Sequence, residues 1–280
     1  MLTTENHDRD AVGMTYIYPV VSRRAGGVSI GVNLNPNNAC NWHCVYCQVP
    51  NLLRGSAPEM NINLLNSELK EFIDELLHRE FMQKHVPEDC RRVCDVAISG
   101  NGEPTGCRQF DTVVETIVCR LQAAELLGKI NIVLISNGSY VHRAEVLRGL
   151  DMMAVHRGQV WFKVDAATDA GISRINGVNL SVDRMLAQLK TVAKHCPTWI
   201  QTCMFAWDGQ PPEAFDTQAY LDFLQRALQQ GIALQGVLLY GIARPSMQAE
   251  AVYVSALPED YMLEMKQRIE AIDLAVKFSL

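Results

Sequence analysis

Long apolar runs are missing from this chain, and so is any surplus of positive charge. No segment reaches the roughly 18–20 consecutive apolar residues that a membrane-spanning helix requires. The opening residues, Met1 to Asp8, have neither the basic nor the apolar stretch of an export signal, so a cytoplasmic location and no membrane partner are expected. A formal net charge of −6 leaves no broad basic face for nucleic acid, which is disfavoured as a partner but stays possible through a local patch at Arg23, Arg24 and Arg54. No cysteine precedes Cys40, and no second Cys-x2-Cys or His-x3-His follows the first pair. Without an export signal, nine cysteines in a chain of 280 residues read as reduced thiols or metal ligands rather than disulfides. No linker or shift of composition divides the chain.

What is present is a repeating alternation of strand and helix. Residues 1–27 read as an irregular lead-in, and 28–280 as a single domain. Val28, Ile30, Val32 and Leu34 alternate with Ser29, Gly31, Asn33 and Asn35, which is the period of a strand with one apolar face. Further strands are expected at 93–100, 130–136, 160–165, 199–205 and 234–241. Helical periodicity follows each, near 67–78, 111–127, 142–149, 181–194, 217–230 and 258–276. Six such units in unbroken alternation imply a parallel sheet with right-handed crossovers. Two closures fit, an open doubly wound sheet or a partial (βα)6 TIM-like barrel. Strands covered on both faces should be apolar throughout, yet Trp161, Lys163 and Asp165 share one face, as do Gln201 and Cys203. A barrel whose interior is incompletely filled accounts for that polar face better.

Cys40-x3-Cys44-x2-Cys47 lies just beyond the first of these strands. A Cys-x2-Cys pair alone serves zinc ribbons and redox dithiols equally well. The third cysteine narrows the choice, because tetrahedral zinc needs a fourth ligand, whereas an iron–sulfur cube held by three thiolates keeps one iron open for an exchangeable ligand. Ligands of such sheets bind beyond the C-terminal strand ends. That rule gathers the cysteine loop, Gly102-Glu103-Pro104-Thr105, Ser136-Asn137 and Asp165 at one mouth. Lys163, if it faces the interior, needs an anionic partner, and Asp165 shares its face.

The cysteine spacing, with Tyr46 before the last cysteine, resembles the cluster loop of the radical S-adenosylmethionine (SAM) superfamily. Ser22-Arg23-Arg24, Cys44-Val45-Tyr46-Cys47-Gln48, Gly100-Asn101-Gly102-Glu103-Pro104-Thr105, Ser136-Asn137-Gly138-Ser139, Lys163-Val164-Asp165-Ala166 and Ile242-Ala243-Arg244-Pro245 extend the likeness over residues 16–257. The series is similar to the branch holding the wyosine-base synthases, which modify tRNA. The resemblance implies that Cys40, Cys44 and Cys47 ligate a [4Fe-4S] cluster, and that SAM is held near Tyr46, Gly102, Glu103, Ser136, Asn137, Lys163, Asp165 and Arg244. It further implies an electron donor such as flavodoxin or ferredoxin, and a deoxyadenosyl radical that attacks a small-molecule or peptide substrate. Lys163 and Cys203 are the candidate catalytic side chains, Lys163 as an ion pair or Schiff-base amine and Cys203 as a hydrogen donor. The wyosine synthases carry a further N-terminal set of cysteines that is lacking here, so tRNA is the less expected substrate. An RNA modifier and a non-catalytic cluster carrier or maturation scaffold are the alternatives.

Overall fold

A computed structural model describes residues 12–22 and 26–280. Arg23 and Arg24 therefore lie outside the described residues. Eight strands form one sheet: β1 (Ile17–Ser22), β2 (Gly27–Asn33), β3 (Val93–Ser99), β4 (Asn131–Ser136), β5 (Gly158–Lys163), β6 (Thr198–Cys203), β7 (Leu234–Tyr240) and β8 (Val276–Ser279). Their order in the sheet is their order in the chain, and every pairing is parallel except β1 with β2. A doubly wound sheet must reverse its strand order at a switch point. No reversal occurs here. Right-handed crossovers that always step the same way put every helix on one face, which curls the sheet into a half-barrel with an open interior.

The helices are α1 (Ile62–His78), α2 (Phe81–His85), α3 (Phe110–Ala123), α4 (Ala144–Val155), α5 (Asp169–Asn176), α6 (Val182–His195), α7 (Ala214–Gln229) and α8 (Glu259–Glu270). Capping sets several starts: Asn61, Thr168 and Ser181 each accept a backbone N–H from the first turn that follows. Because Asn61 caps it, α1 begins five residues before its expected start at 67. Leu69, Phe72 and Ile73 of α1, Val114 and Ile117 of α3, and Leu186 and Leu189 of α6 pack on Ile30, Ile98, Ile132, Phe162 and Ile200, forming the main core between sheet and helices. A second, small apolar cluster lies inside the curl, where Val133, Trp161 and Leu238 meet with Ala97, Ile135 and Trp199 against them.

Three sequence expectations are corrected. The lead-in of 1–27 holds strand β1, antiparallel to β2, in which Tyr18 lies over Gly31. The helix expected to run to Val276 ends at Glu270; Asp273 adopts a left-handed φ of 61°, and the chain turns into β8. Neither helix α2 nor helix α5 was among the expected helices.

Phe162 is fully buried, and its ring sits where a Cβ on Gly138 would come within 2.3 Å. Phe162→Ala is expected to cost about 3–5 kcal/mol of unfolding free energy. Urea unfolding should therefore show a lower midpoint at unchanged slope.

Candidate active site

At the C-terminal strand ends the curl opens into a cavity of about 290 Å³. Interior-facing residues of successive strands line it: Tyr18, Ser29, Asp95, Ser99, Trp161, Lys163, Gln201, Cys203 and Tyr240. Cys40, Cys44 and Cys47 form part of the same wall, with Gly102, Glu103, Asn137 and Arg244. The structure thus gathers most of the expected site residues. Ser136 and Asp165 are the exceptions: both are buried and neither lines this cavity.

The cysteine loop is held by its own chain. Asn35 Nδ2 donates to the Ala39 carbonyl at 2.8 Å, Asn137 Nδ2 to Asn41 Oδ1 at 3.0 Å, and Asn101 Nδ2 to Asn38 Oδ1 at 2.5 Å. Gly102 lets the turn after β3 come close: a Cβ there would stand 2.1 Å from the Ala39 oxygen and 2.7 Å from the Asn35 amide. The end of α5 grips the loop from another side. His43 N–H donates to the Asn176 carbonyl and Val45 N–H to that of Ile175, both at 2.9 Å, while the Asn176 side chain reaches Cys44 Sγ at 3.3 Å. Arg54 donates to the carbonyls of Asn41 and Gly177, which ties the cysteine loop to the end of α5.

A strap from beyond β7 completes the hold. Ser246 Oγ donates to the Val45 carbonyl at 2.7 Å, Gln248 Nε2 to that of Val49 at 2.8 Å, and Met247 N–H to that of Cys47 at 2.9 Å. Ser246 and Gln248 carried no sequence signal, since about 200 residues separate them from their partners. Helix α5 did carry one, Thr168 as N-cap and Gly177 as a left-handed C-cap, but its eight residues are too few for a clear period.

Glu103 is buried and answered by four donors. Thr105 N–H, Thr105 Oγ1 and Ser136 Oγ reach Oε1 at 3.1, 2.5 and 2.6 Å, and Asn137 N–H reaches Oε2 at 2.7 Å. Burial pushes its carboxyl above the ordinary value, and these donors oppose the shift. Ser136 is thereby spent on positioning Glu103. Asp165 is a second such knot: Oδ2 accepts from Tyr46 Oη at 2.5 Å and Asn176 Nδ2 at 2.8 Å, and Oδ1 from Cys203 N–H at 3.1 Å. Lys163 Nζ stands 3.9 Å from Asp165 and 5.0 Å from the centre of the Tyr46 ring. Burial works against its charge, yet the neighbouring anion Asp165 leads the opposing influences and holds the ammonium above the ordinary lysine range. Burial raises the thiols of Cys40 to about 11 and Cys44 to about 12, and raises that of Cys203 further. Among the described residues no three His, Cys, Asp or Glu side chains converge tightly enough to hold a single metal ion.

This arrangement is that of a known structural class. A radical SAM methyltransferase from Sphaerobacter thermophilus superposes with a TM-score of 0.59 at 12% identity, covering 90% of this chain and 66% of that one. TYW1 with a lysine–pyruvate adduct bound gives 0.56 at 17% identity, over 87% of this chain and 73% of that one. SuiB of Streptococcus suis bound to S-adenosylmethionine gives 0.53 at 11%, over 91% and 47%. The chain shares the partial-barrel fold of these solved proteins, a radical SAM methyltransferase among them. No family model matches the chain. A curated protein described as GTPase Obg, from Brachyspira hyodysenteriae (strain ATCC 49526 / WA1), is 25% identical over 148 residues, which are 52% of this chain. The chain spans about 19% of the length of that relative. It contains no Gly-x4-Gly-Lys-Ser/Thr phosphate loop.

Gly102→Ala is expected to push the turn away from Ala39 and loosen the cysteine loop. Iron retained after anaerobic reconstitution should fall at least several-fold, while far-ultraviolet circular dichroism stays that of the parent.

Proposed function

We propose that this chain is a radical SAM enzyme in which Cys40, Cys44 and Cys47 hold a [4Fe-4S] cluster and the adjoining cavity takes S-adenosylmethionine. The observation that carries the reading is the placement of three cysteines on one wall of a half-barrel cavity, in a loop sewn to four separate parts of the chain. The donor set fits a cluster. Three thiolates would ligate three irons of a [4Fe-4S] cluster and leave the fourth without a protein ligand. When bound, the reduced cluster supplies the electron that cleaves SAM to methionine and a 5′-deoxyadenosyl radical, which abstracts hydrogen from a small-molecule or peptide substrate.

The chain's own residues bind and orient. Glu103 is fixed by Thr105, Ser136 and Asn137 so that a carboxylate lies at the cavity wall beside Gly102, a suitable acceptor for an ammonium group. Arg244, half-buried at the mouth, has the forked donors that match a carboxylate. Tyr46 holds its ring by bonding to Asp165, and of the three cysteines Cys44 is buried while Cys40 and Cys47 are half-buried at the cavity wall. A reductant such as flavodoxin or ferredoxin and a cytoplasmic location accompany this reading; no helix of the described residues is long and apolar enough to cross a membrane. RNA is not favoured as substrate, because the chain is acidic overall.

Anaerobic reconstitution tests the proposal. The loaded, dithionite-reduced protein should convert SAM to 5′-deoxyadenosine and methionine, and Cys44→Ala should lose both the iron and the products. A fully loaded protein that leaves SAM intact under these conditions would overturn the reading. A second expectation concerns Lys163. TYW1 has been solved with a lysine–pyruvate adduct, but a Schiff base needs a neutral amine, and Lys163 is held charged beside Asp165. Treatment with pyruvate and borohydride at pH 7–8 should leave the Lys163 peptide unmodified by mass spectrometry; a reduced adduct there would restore the amine as a nucleophile.

A further inference from the structure

The side chain of Gln201 stands in the cavity wall without a hydrogen bond that would tie it to the fold. Gln201 sits mid-strand on β6, is 98% buried, and lines the cavity, yet its Oε1 accepts no hydrogen bond. Glu103, Asn137 and Asp165 are answered by their own chain, and Asn101, whose Oδ1 also lacks a hydrogen bond, is held through its Nδ2 by Asn38. A buried amide left without a partner is disfavoured and therefore rare in folded proteins, and it is relieved by whatever enters the cavity. Its neighbours in register are Lys163 on β5 and Leu238 on β7. The charge of Lys163 is already directed at Asp165, and Leu238 is apolar. The group Gln201 awaits is consequently recognised by neutral hydrogen bonding rather than by charge. Trp161, whose register partner is Trp199 at the position two residues before Gln201, also lines the cavity and packs with Val133 and Leu238.

We infer that Gln201 is a recognition residue whose carboxamide binds the adjacent donor and acceptor of a planar edge, such as an amide or a nucleobase, lying against Trp161. The carboxamide offers one donor side and one acceptor side in a plane, the pattern with which glutamine reads adenine. The inference rests on the cavity being the binding site proposed above. Two sources present such an edge: the adenine of SAM itself, or the substrate.

The test uses wild type, Gln201→Leu and Gln201→Glu, each with and without reconstituted iron, so that probe binding is read even if no cluster loads. Saturation-transfer NMR with adenine and nicotinamide should show binding to wild type and at least a tenfold loss in Gln201→Leu. Toluene, which lacks the edge, should not distinguish the two proteins. Gln201→Glu, with an acceptor only, should lose most of the probe binding while retaining the wild-type melting temperature. Equilibrium dialysis of labelled SAM then separates the sources. A tenfold weaker affinity in Gln201→Leu, with SAM displacing the probes, assigns the edge to adenine. An affinity within twofold of wild type, with probes still binding beside SAM, assigns it to the substrate. Probes that bind all three proteins alike, or none of them, overturn the inference. Unaltered SAM cleavage in wild type would leave the proposed function standing in that event, so the two failures are distinguishable.

Discussion

The carboxylate of Asp165 is the constraint on which the site's geometry depends. It stands two residues past the end of β5, with no exposed side-chain surface, and it receives a phenol from the cysteine loop, an amide from α5 and a backbone N–H from the end of β6. An isolated buried carboxylate is strongly disfavoured, and only several well-placed donors make it tolerable. Those donors come from parts of the chain that are far apart in sequence. Satisfying one charge therefore fixes loop, helix and strand relative to one another. Glu103 plays the same part on the other side of the mouth, where it joins the ends of β3 and β4.

These two knots can exist because the sheet is singly wound. With all helices on one side, the outer strand face takes the large apolar residues and the inner face is released from core duty. A few inner residues, Val133, Trp161 and Leu238 among them, fill the curl from within. The remaining inner positions, such as Lys163, Gln201 and Cys203, then face an open space in which polar groups keep their function. The antiparallel β1 extends the curl at one edge, and Tyr18 occupies the room that Gly31 leaves.

Much of this was legible in the sequence, and the reasons are local. Alternation over Val28 to Asn35 and over Val160 to Asp165 marks strands because the pleat has a period of two, and the spacing of Cys40, Cys44 and Cys47 sits within one short loop. Glycine at 102 signalled a close approach, though the group approached is the backbone of the cysteine loop. What the sequence did not disclose were the partners. Ser136 and Asp165 look like ligands at the strand ends, but long-range folding turns both inward to hold other residues of the chain. The strap of Ser246 and Gln248 depends on contacts across some 200 positions, which no periodicity encodes. Strand β8 is four residues long and follows a helix of similar apolar pattern, so its turn at Asp273 was the only break to read.

The strap has a consequence for how the protein is made. Residues 244–248 lie beyond the last of the inner strands, yet they carry the donors for the carbonyls of Val45, Cys47 and Val49. A chain leaving the ribosome releases its cysteines early and these donors some 200 residues later, and N-terminal segments begin to fold first. Throughout that interval the loop lacks its final restraint, and the thiols are open to solvent, oxidants and stray ions. The cysteine loop therefore reaches its final shape only after residue 248 has been synthesised, which makes its completion a late event in the folding of the chain.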